Sequence, residues 1–74
     1  MEQFKIKGLF ITLGQFIKAA SIISSGGMIK HFLCENEIIL NGVEEKRRGK
    51  KIYPGDILLI NGVKYLFLWL NMLI

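Results

Sequence analysis

Apolar and basic residues alternate near the start of the chain, in Phe4-Lys5-Ile6-Lys7, which is the period-two pattern of a short strand with one face inward; Gly8 ends or bends it. The period then lengthens. Thr12 stands three residues before Gln15, the spacing of a capping box, so a first helix is expected from Leu13. Leu13, Phe16, Ile17 and Ala20 share one helical stripe that should face the core, whereas Gly14 and Lys18 fall off it and toward water. Ser24-Ser25-Gly26-Gly27 is a breaker cluster, and a short second helix should follow, from about Met28 to Glu35. Its Ile29, Phe32 and Leu33 turn inward, and Asn36 is suited to the left-handed position that stops it.

From Ile38 the period becomes extended. Asn41-Gly42 and Asn61-Gly62 are the dipeptide most favoured in two-residue hairpin turns, where both central residues need positive φ. The first should return a strand through Val43 and Glu44, and the second should send Val63 to about Leu68 back along Ile57-Leu58-Leu59-Ile60. Tyr53-Pro54-Gly55-Asp56 is a further turn signal. Two helices of about two turns each cannot bury their stripes against one another alone. The expected class is therefore α+β, with two short helices packed on one face of a small antiparallel sheet, in a single domain over residues 1–74.

Composition narrows the function classes. Half the chain is hydrophobic (51%), which argues for a folded core, and one cysteine with one histidine can assemble neither an internal disulfide nor a zinc site. No cofactor or metal is expected. Met1-Glu2-Gln3-Phe4-Lys5 lacks the apolar stretch and cleavage site of an export signal, so the expected location is cytoplasmic. The greasiest stretch, Tyr65 to Ile74, has half the roughly 20 residues a membrane-spanning helix needs, so no integral membrane association is expected.

The formal charge of +4 is concentrated. Lys46, Arg47, Arg48, Lys50 and Lys51 supply five of the ten basic residues, and the five that remain face six acidic ones, so the positive field comes largely from one segment. A local cationic patch implies an anionic partner.

The stretch Leu13 to Asp56 resembles the RNA-binding domain named after small-subunit ribosomal protein S-four, also called the alpha-L motif. The resemblance rests on the helix start Leu13-Gly14-Gln15-Phe16-Ile17, the second helix reaching Leu33, the run Asn36-Glu37-Ile38-Ile39-Leu40-Asn41-Gly42, a basic loop, and the closing Ile52-Tyr53-Pro54-Gly55-Asp56-Ile57. It gives a family-like core of about residues 12–60 and leaves 69–74 as an apolar extension. Gly26-Gly27-Met28-Ile29-Lys30 together with Arg47-Arg48-Gly49-Lys50-Lys51 most resembles the stand-alone bacterial YaaA-like proteins. The family implies binding to structured RNA, often ribosomal, through the exposed helix faces and the adjoining basic loop; it does not imply catalysis.

The candidate RNA-binding residues are Lys46, Arg47, Arg48, Lys50 and Lys51, joined by Lys18 and Lys30 if the helices cross as they do in the family, and by Gly26 and Gly27. Guanidinium suits phosphate because it is planar, permanently charged and can donate two parallel hydrogen bonds. Gly49 would let the backbone bulge so that several cations share one concave face. Each candidate has a plainer alternative: a basic run or a lone lysine as a solvated surface, and Gly-Gly as a turn that merely needs glycine, which for Gly26-Gly27 the sequence favours. His31 is expected to be a partly buried helix residue and Cys34 an ordinary small apolar one. Glu44 and Glu45, adjacent in a strand, point to opposite faces and so do not form a carboxylate pair for acid–base chemistry.

Three functions compete at this point. The leading one is binding of ribosomal RNA or a ribosome-assembly intermediate. The second is a protein-interaction module or homodimer that hides the apolar segment Trp69 to Ile74. The weakest is peripheral attachment to anionic membranes.

Overall fold

In the computed structural model, which describes residues 1–70, the capping box at Thr12 forms in full. The Gln15 N–H donates to Thr12 Oγ1 at 3.2 Å and the Thr12 N–H to Gln15 Oε1 at 2.9 Å. Helix α1 runs over Leu13–Ala19 and α2 over Ile29–Glu35, with a single 3₁₀ turn at Gly26–Met28 leading into α2. Strand β1 (Glu2–Ile6) and the short β2 (Ile11–Thr12) precede α1. After α2 come β3 (Ile38–Leu40), β4 (Val43–Glu44), β5 (Lys51–Ile52), β6 (Ile57–Ile60) and β7 (Val63–Trp69).

The α+β class is as expected. A five-stranded sheet has the order β1-β7-β6-β3-β4, and β2 pairs with β5 in a separate two-stranded ribbon. One pairing departs from the antiparallel run: β1 lies parallel to β7, from Glu2 beside Tyr65 to Ile6 beside Trp69. Turn chemistry reveals only pairings between sequence neighbours, whereas β1 takes the one edge of β7 that β6 leaves open, and it arrives there by a long crossover.

Phe16 fastens α1 to that parallel pair. Its ring meets Phe4, Tyr65 and Phe67 edge-on at centroid distances of 4.9, 5.0 and 4.8 Å, and it is fully buried. Leu13 and Ile17 of α1, Leu33 of α2, and Ile38, Leu58 and Phe67 of the sheet close the same core. The opposite face of the sheet carries Ile39, Ile57, Leu59, Leu66 and Leu68, all half-buried.

Both Asn-Gly turns form, with φ of 50° and 83° at Asn41 and Gly42 and 49° and 86° at Asn61 and Gly62. Each asparagine also stitches its turn to the neighbouring strand. Asn41 Oδ1 accepts from the Ile57 N–H at 2.9 Å and its Nδ2 donates to Asp56, while Asn61 Oδ1 accepts from the Glu37 N–H at 3.0 Å and its Nδ2 donates to Asn36. Because β3 and β6 are antiparallel, the two turns sit at opposite ends of one strand pair.

Three residues differ from expectation. Gly14 is buried, not solvent-facing, because a loop lies over it. Asn36 is extended (φ −125°): the chain enters β3 almost at once, and Asn36 Nδ2 instead donates to the Phe32 carbonyl at 2.8 Å, satisfying the last turn of α2. His31 is exposed and not partly buried, since α2 turns only Ile29 and Leu33 fully inward; Cys34, on the face beside them, is exposed as well.

Helix α1 also ends earlier than the Ser24 to Gly27 breakers suggest. Ser21 takes the left-handed conformation (φ 58°), with its N–H on the Lys18 carbonyl at 3.0 Å and the Ile22 N–H on the Ile17 carbonyl at 3.1 Å. This is the paired C-terminal bonding usually built on glycine.

Candidate nucleic-acid interface

Five of the candidate cations sit on the segment that leaves β4 and enters β5, and the backbone fixes where it lies. The helix-start amides of α1 find their acceptors there: the Leu13 N–H donates to the Lys50 carbonyl and the Gly14 N–H to the Arg48 carbonyl, both at 2.8 Å. With Gln15 held by Thr12, three donors that a helix start leaves open are satisfied. Gly14 is what permits the approach, because a Cβ there would stand 3.3 Å from both Arg48 Cβ and the Arg48 carbonyl oxygen. The basic loop is thus packed against a helix end, not held out in solvent.

One side of the loop faces the helices. Arg48 and Gly49 line an open hollow of about 340 Å³ together with Lys18 and Gln15 of α1 and Gly26 at the approach to α2. Arg48 and Lys18 are both exposed, and neither enters an ion pair among the described residues. A second open hollow of about 420 Å³ is lined by Arg47, Gly49, Lys50, Lys51 and Tyr53. Arg48 and Lys18 thus line the first hollow and Arg47, Lys50 and Lys51 the second, and the two hollows share Gly49.

Arg47 is the exception among the cations. Its Nε donates to Glu45 Oε2 at 2.9 Å, a second guanidinium nitrogen to Oε1 at 3.1 Å, and its backbone N–H to Oε2 at 3.1 Å. Glu45 is only 8% exposed. The guanidinium hydrogen bonds pull its carboxyl down to about 2, against the opposing effect of burial, and the Arg47 backbone N–H and the charges of Arg47 and Lys50 act in the same direction as those bonds. The pair raises the Arg47 pKa in turn. Arg47 therefore anchors the loop, with part of its charge already matched.

Lys46 turns back, its ammonium donating to the Asn36 carbonyl at 2.8 Å beyond the end of α2. Lys30 is exposed on α2 but lines neither hollow. Gly26 lines the first hollow, whereas Gly27 is exposed; the next two amides, of Met28 and Ile29, already donate to the Ser25 and Gly26 carbonyls. Among the described residues no helix is long and apolar enough to cross a membrane, and no cluster of metal-binding side chains comes together.

Residues 4–67 match the family described as S4 domain. The chain belongs to the S4 domain family. Its relatives include a protein from Bacillus subtilis (strain 168) called "Probable ribosome maturation protein RlbA", 54% identical over 52 residues, which cover 70% of this chain and 73% of that protein. No solved structure gives a significant match. In this S4 domain the sequence located the cationic segment but missed two residues that hold it, Gly14 and Glu45. A signal for Glu45 existed: two positions from Arg47 along an extended chain, it shares a face with it. Gly14 carried none, because its neighbour is more than thirty residues away in sequence.

Proposed function

We propose that this chain binds structured RNA, ribosomal RNA or a ribosome-assembly intermediate, by contacting phosphates, and that it does so without catalysis. The observation that carries the reading is the docking of the basic loop on α1, which sets Arg48 beside Lys18 and Gly26 at one hollow and Arg47, Lys50 and Lys51 at the next. Membership of the S4 domain family and a relative named for ribosome maturation support the same class of partner. Arg48 is the principal phosphate ligand, since its guanidinium is the one in the basic segment without a carboxylate partner among the described residues. Lys18, Lys50 and Lys51 add point charge; Lys30 and Lys46 contribute to the wider field, Gly26 and Gly27 leave room for the RNA backbone, and Arg47 holds the loop. A cytoplasmic location goes with this partner.

Titration of a ribosomal RNA fragment tests the reading. With about three to five phosphates neutralised, the log of affinity should fall against log salt with a slope of roughly −2 to −4. Arg48→Glu should remove binding while leaving the thermal unfolding midpoint unchanged. Undiminished affinity in that variant, or a slope near zero, would reject the proposal.

A second reading, association through the C-terminal apolar segment, is favoured by the exposure of Trp69 (52%) and Leu70 (49%); residues 71–74 lie outside the described ones. Removing residues 69–74 and measuring mass in solution decides it, since a monomer both before and after removal leaves this reading without support.

A further inference from the structure

The β2–β5 ribbon has an outward face that carries two aromatic rings beside the cation Lys51. Its antiparallel register pairs Ile11 with Ile52 and Thr12 with Lys51, so the next position outward sets Phe10 opposite Tyr53. Side chains alternate along a strand, which puts Lys51 and Tyr53 on one face while Ile52, between them, is fully buried on the other. The Phe10 and Tyr53 rings touch at a centroid distance of 5.8 Å and an interplanar angle of 51°, and the Lys51 ammonium stands 4.9 Å from the Phe10 centroid. Neither ring belongs to the core; Phe10 is 37% and Tyr53 46% exposed.

The backbone under Tyr53 is fixed. Its N–H donates to Asp56 Oδ2 at 2.8 Å and its carbonyl accepts from the Asp56 N–H at 3.0 Å, around a turn with Pro54 at its first corner and left-handed Gly55 (φ 97°) at its second. A ring held on so constrained a turn loses little freedom when something lies against it. Tyr53 also lines the hollow that contains Lys50, Lys51 and Arg47. An exposed aromatic face next to several cations matches the two parts of an unpaired nucleotide, a flat base and a phosphate. A continuous duplex offers only the second, because its bases are stacked inside.

We propose that Tyr53, supported by Phe10, stacks against one unpaired base of the bound RNA while Lys50 and Lys51 take the adjoining phosphates. This rests on the RNA-binding reading above and adds to it a preference for a loop, bulge or end over uninterrupted helix. The test compares Tyr53→Leu and Tyr53→Phe on two probes, a ribosomal RNA hairpin with an unpaired uridine-rich loop and its stem sequence closed as a continuous duplex. Loss of one base–aromatic stack should weaken hairpin binding by Tyr53→Leu about ten-fold, leave duplex binding within roughly two-fold, and keep the salt slope, because no charge is removed. Tyr53→Phe keeps the ring and should bind both RNAs as the unsubstituted chain does. With 5-iodouridine in the loop, irradiation should crosslink the hairpin to Tyr53. Equal effects of Tyr53→Leu on both probes, or no effect on either, would overturn the stacking proposal while leaving phosphate binding intact. Failure of the unsubstituted chain to bind either RNA would overturn both.

Discussion

At Asn41-Gly42 and at Asn61-Gly62 the chain reverses within two residues, both left-handed, and each asparagine reaches across to the strand beside it. Between Glu45 and Lys50 it reverses with no left-handed residue at all, and its shape comes from carbonyls accepting from the first amides of α1 and from a carboxylate two positions before Arg47. The turns thus take their shape from left-handed backbone at their own residues, whereas the basic loop, closed locally by the Lys50 N–H on the Arg47 carbonyl and by Glu45, takes its place from α1. The cations of that loop therefore take their position from packing at the start of α1.

Breaking the turns should cost most stability. Asn41→Ala puts a Cβ-bearing residue without local hydrogen bonds at φ 50° and removes the bonds to Ile57 and Asp56, which together should destabilise the fold by about 2 kcal/mol. Asn41→Gly restores the backbone freedom and should recover about half of that loss, and Asn61 should behave alike. Chemical denaturation measures both, and RNA affinity at temperatures where the variant is folded should not change. If it does change, the turns and the basic loop are coupled.

Gly14→Val attacks the loop from the other side. The first added carbon already meets Arg48 at 3.3 Å, so the branched side chain must push the loop off α1 or distort the helix start, at about 1–2 kcal/mol. The larger effect should be on function, as a several-fold loss of RNA affinity without any change of charge. Hydrogen exchange at the Leu13 and Gly14 amides should speed up in this variant while the Asn41 amide stays protected. Equal protection at all three would show that the loop is independent of α1.

This contrast also accounts for what could be read from sequence. Both helices, both hairpins and the Tyr53 to Asp56 turn were legible because capping, turn chemistry and periodicity act within a few residues. The parallel docking of β1 on β7, the burial of Gly14 and the division of the cations between two hollows were not, since each depends on a contact between distant parts of the chain. The positive charge was legible as composition. Its geometry was not: the pairing of Glu45 with Arg47 had a local signal, but the docking of the loop on Gly14 had none.

Acid should weaken the hold of Glu45 on the loop. A carboxyl whose folded value is pulled to about 2 from an ordinary 4.5 stabilises fully above the ordinary value, and its contribution is lost as pH falls between the two. Thermal unfolding midpoints recorded across that window should fall less steeply in Glu45→Gln than in the unsubstituted chain. Curves of the same slope would mean that the pair with Arg47 does not stabilise the folded chain.

Ser21→Gly sharpens the comparison with the smallest effect. Ser21 does the work of a turn residue, left-handed at φ 58°, without the glycine or asparagine that lets the two hairpins adopt that geometry readily. Two backbone bonds, from Ser21 to Lys18 and from Ile22 to Ile17, hold it there. Glycine adopts this conformation freely, but it also has more freedom to lose on folding, so the net gain should be about 0.5–1 kcal/mol, read as a higher denaturation midpoint with an unchanged slope. Since α1 carries the basic loop at its opposite end, RNA affinity should be unaffected. A stabilised variant that also bound RNA more tightly would mean that fraying of α1 at its C-terminus reaches Leu13 and Gly14, making even this locally determined end part of the device that positions the cations.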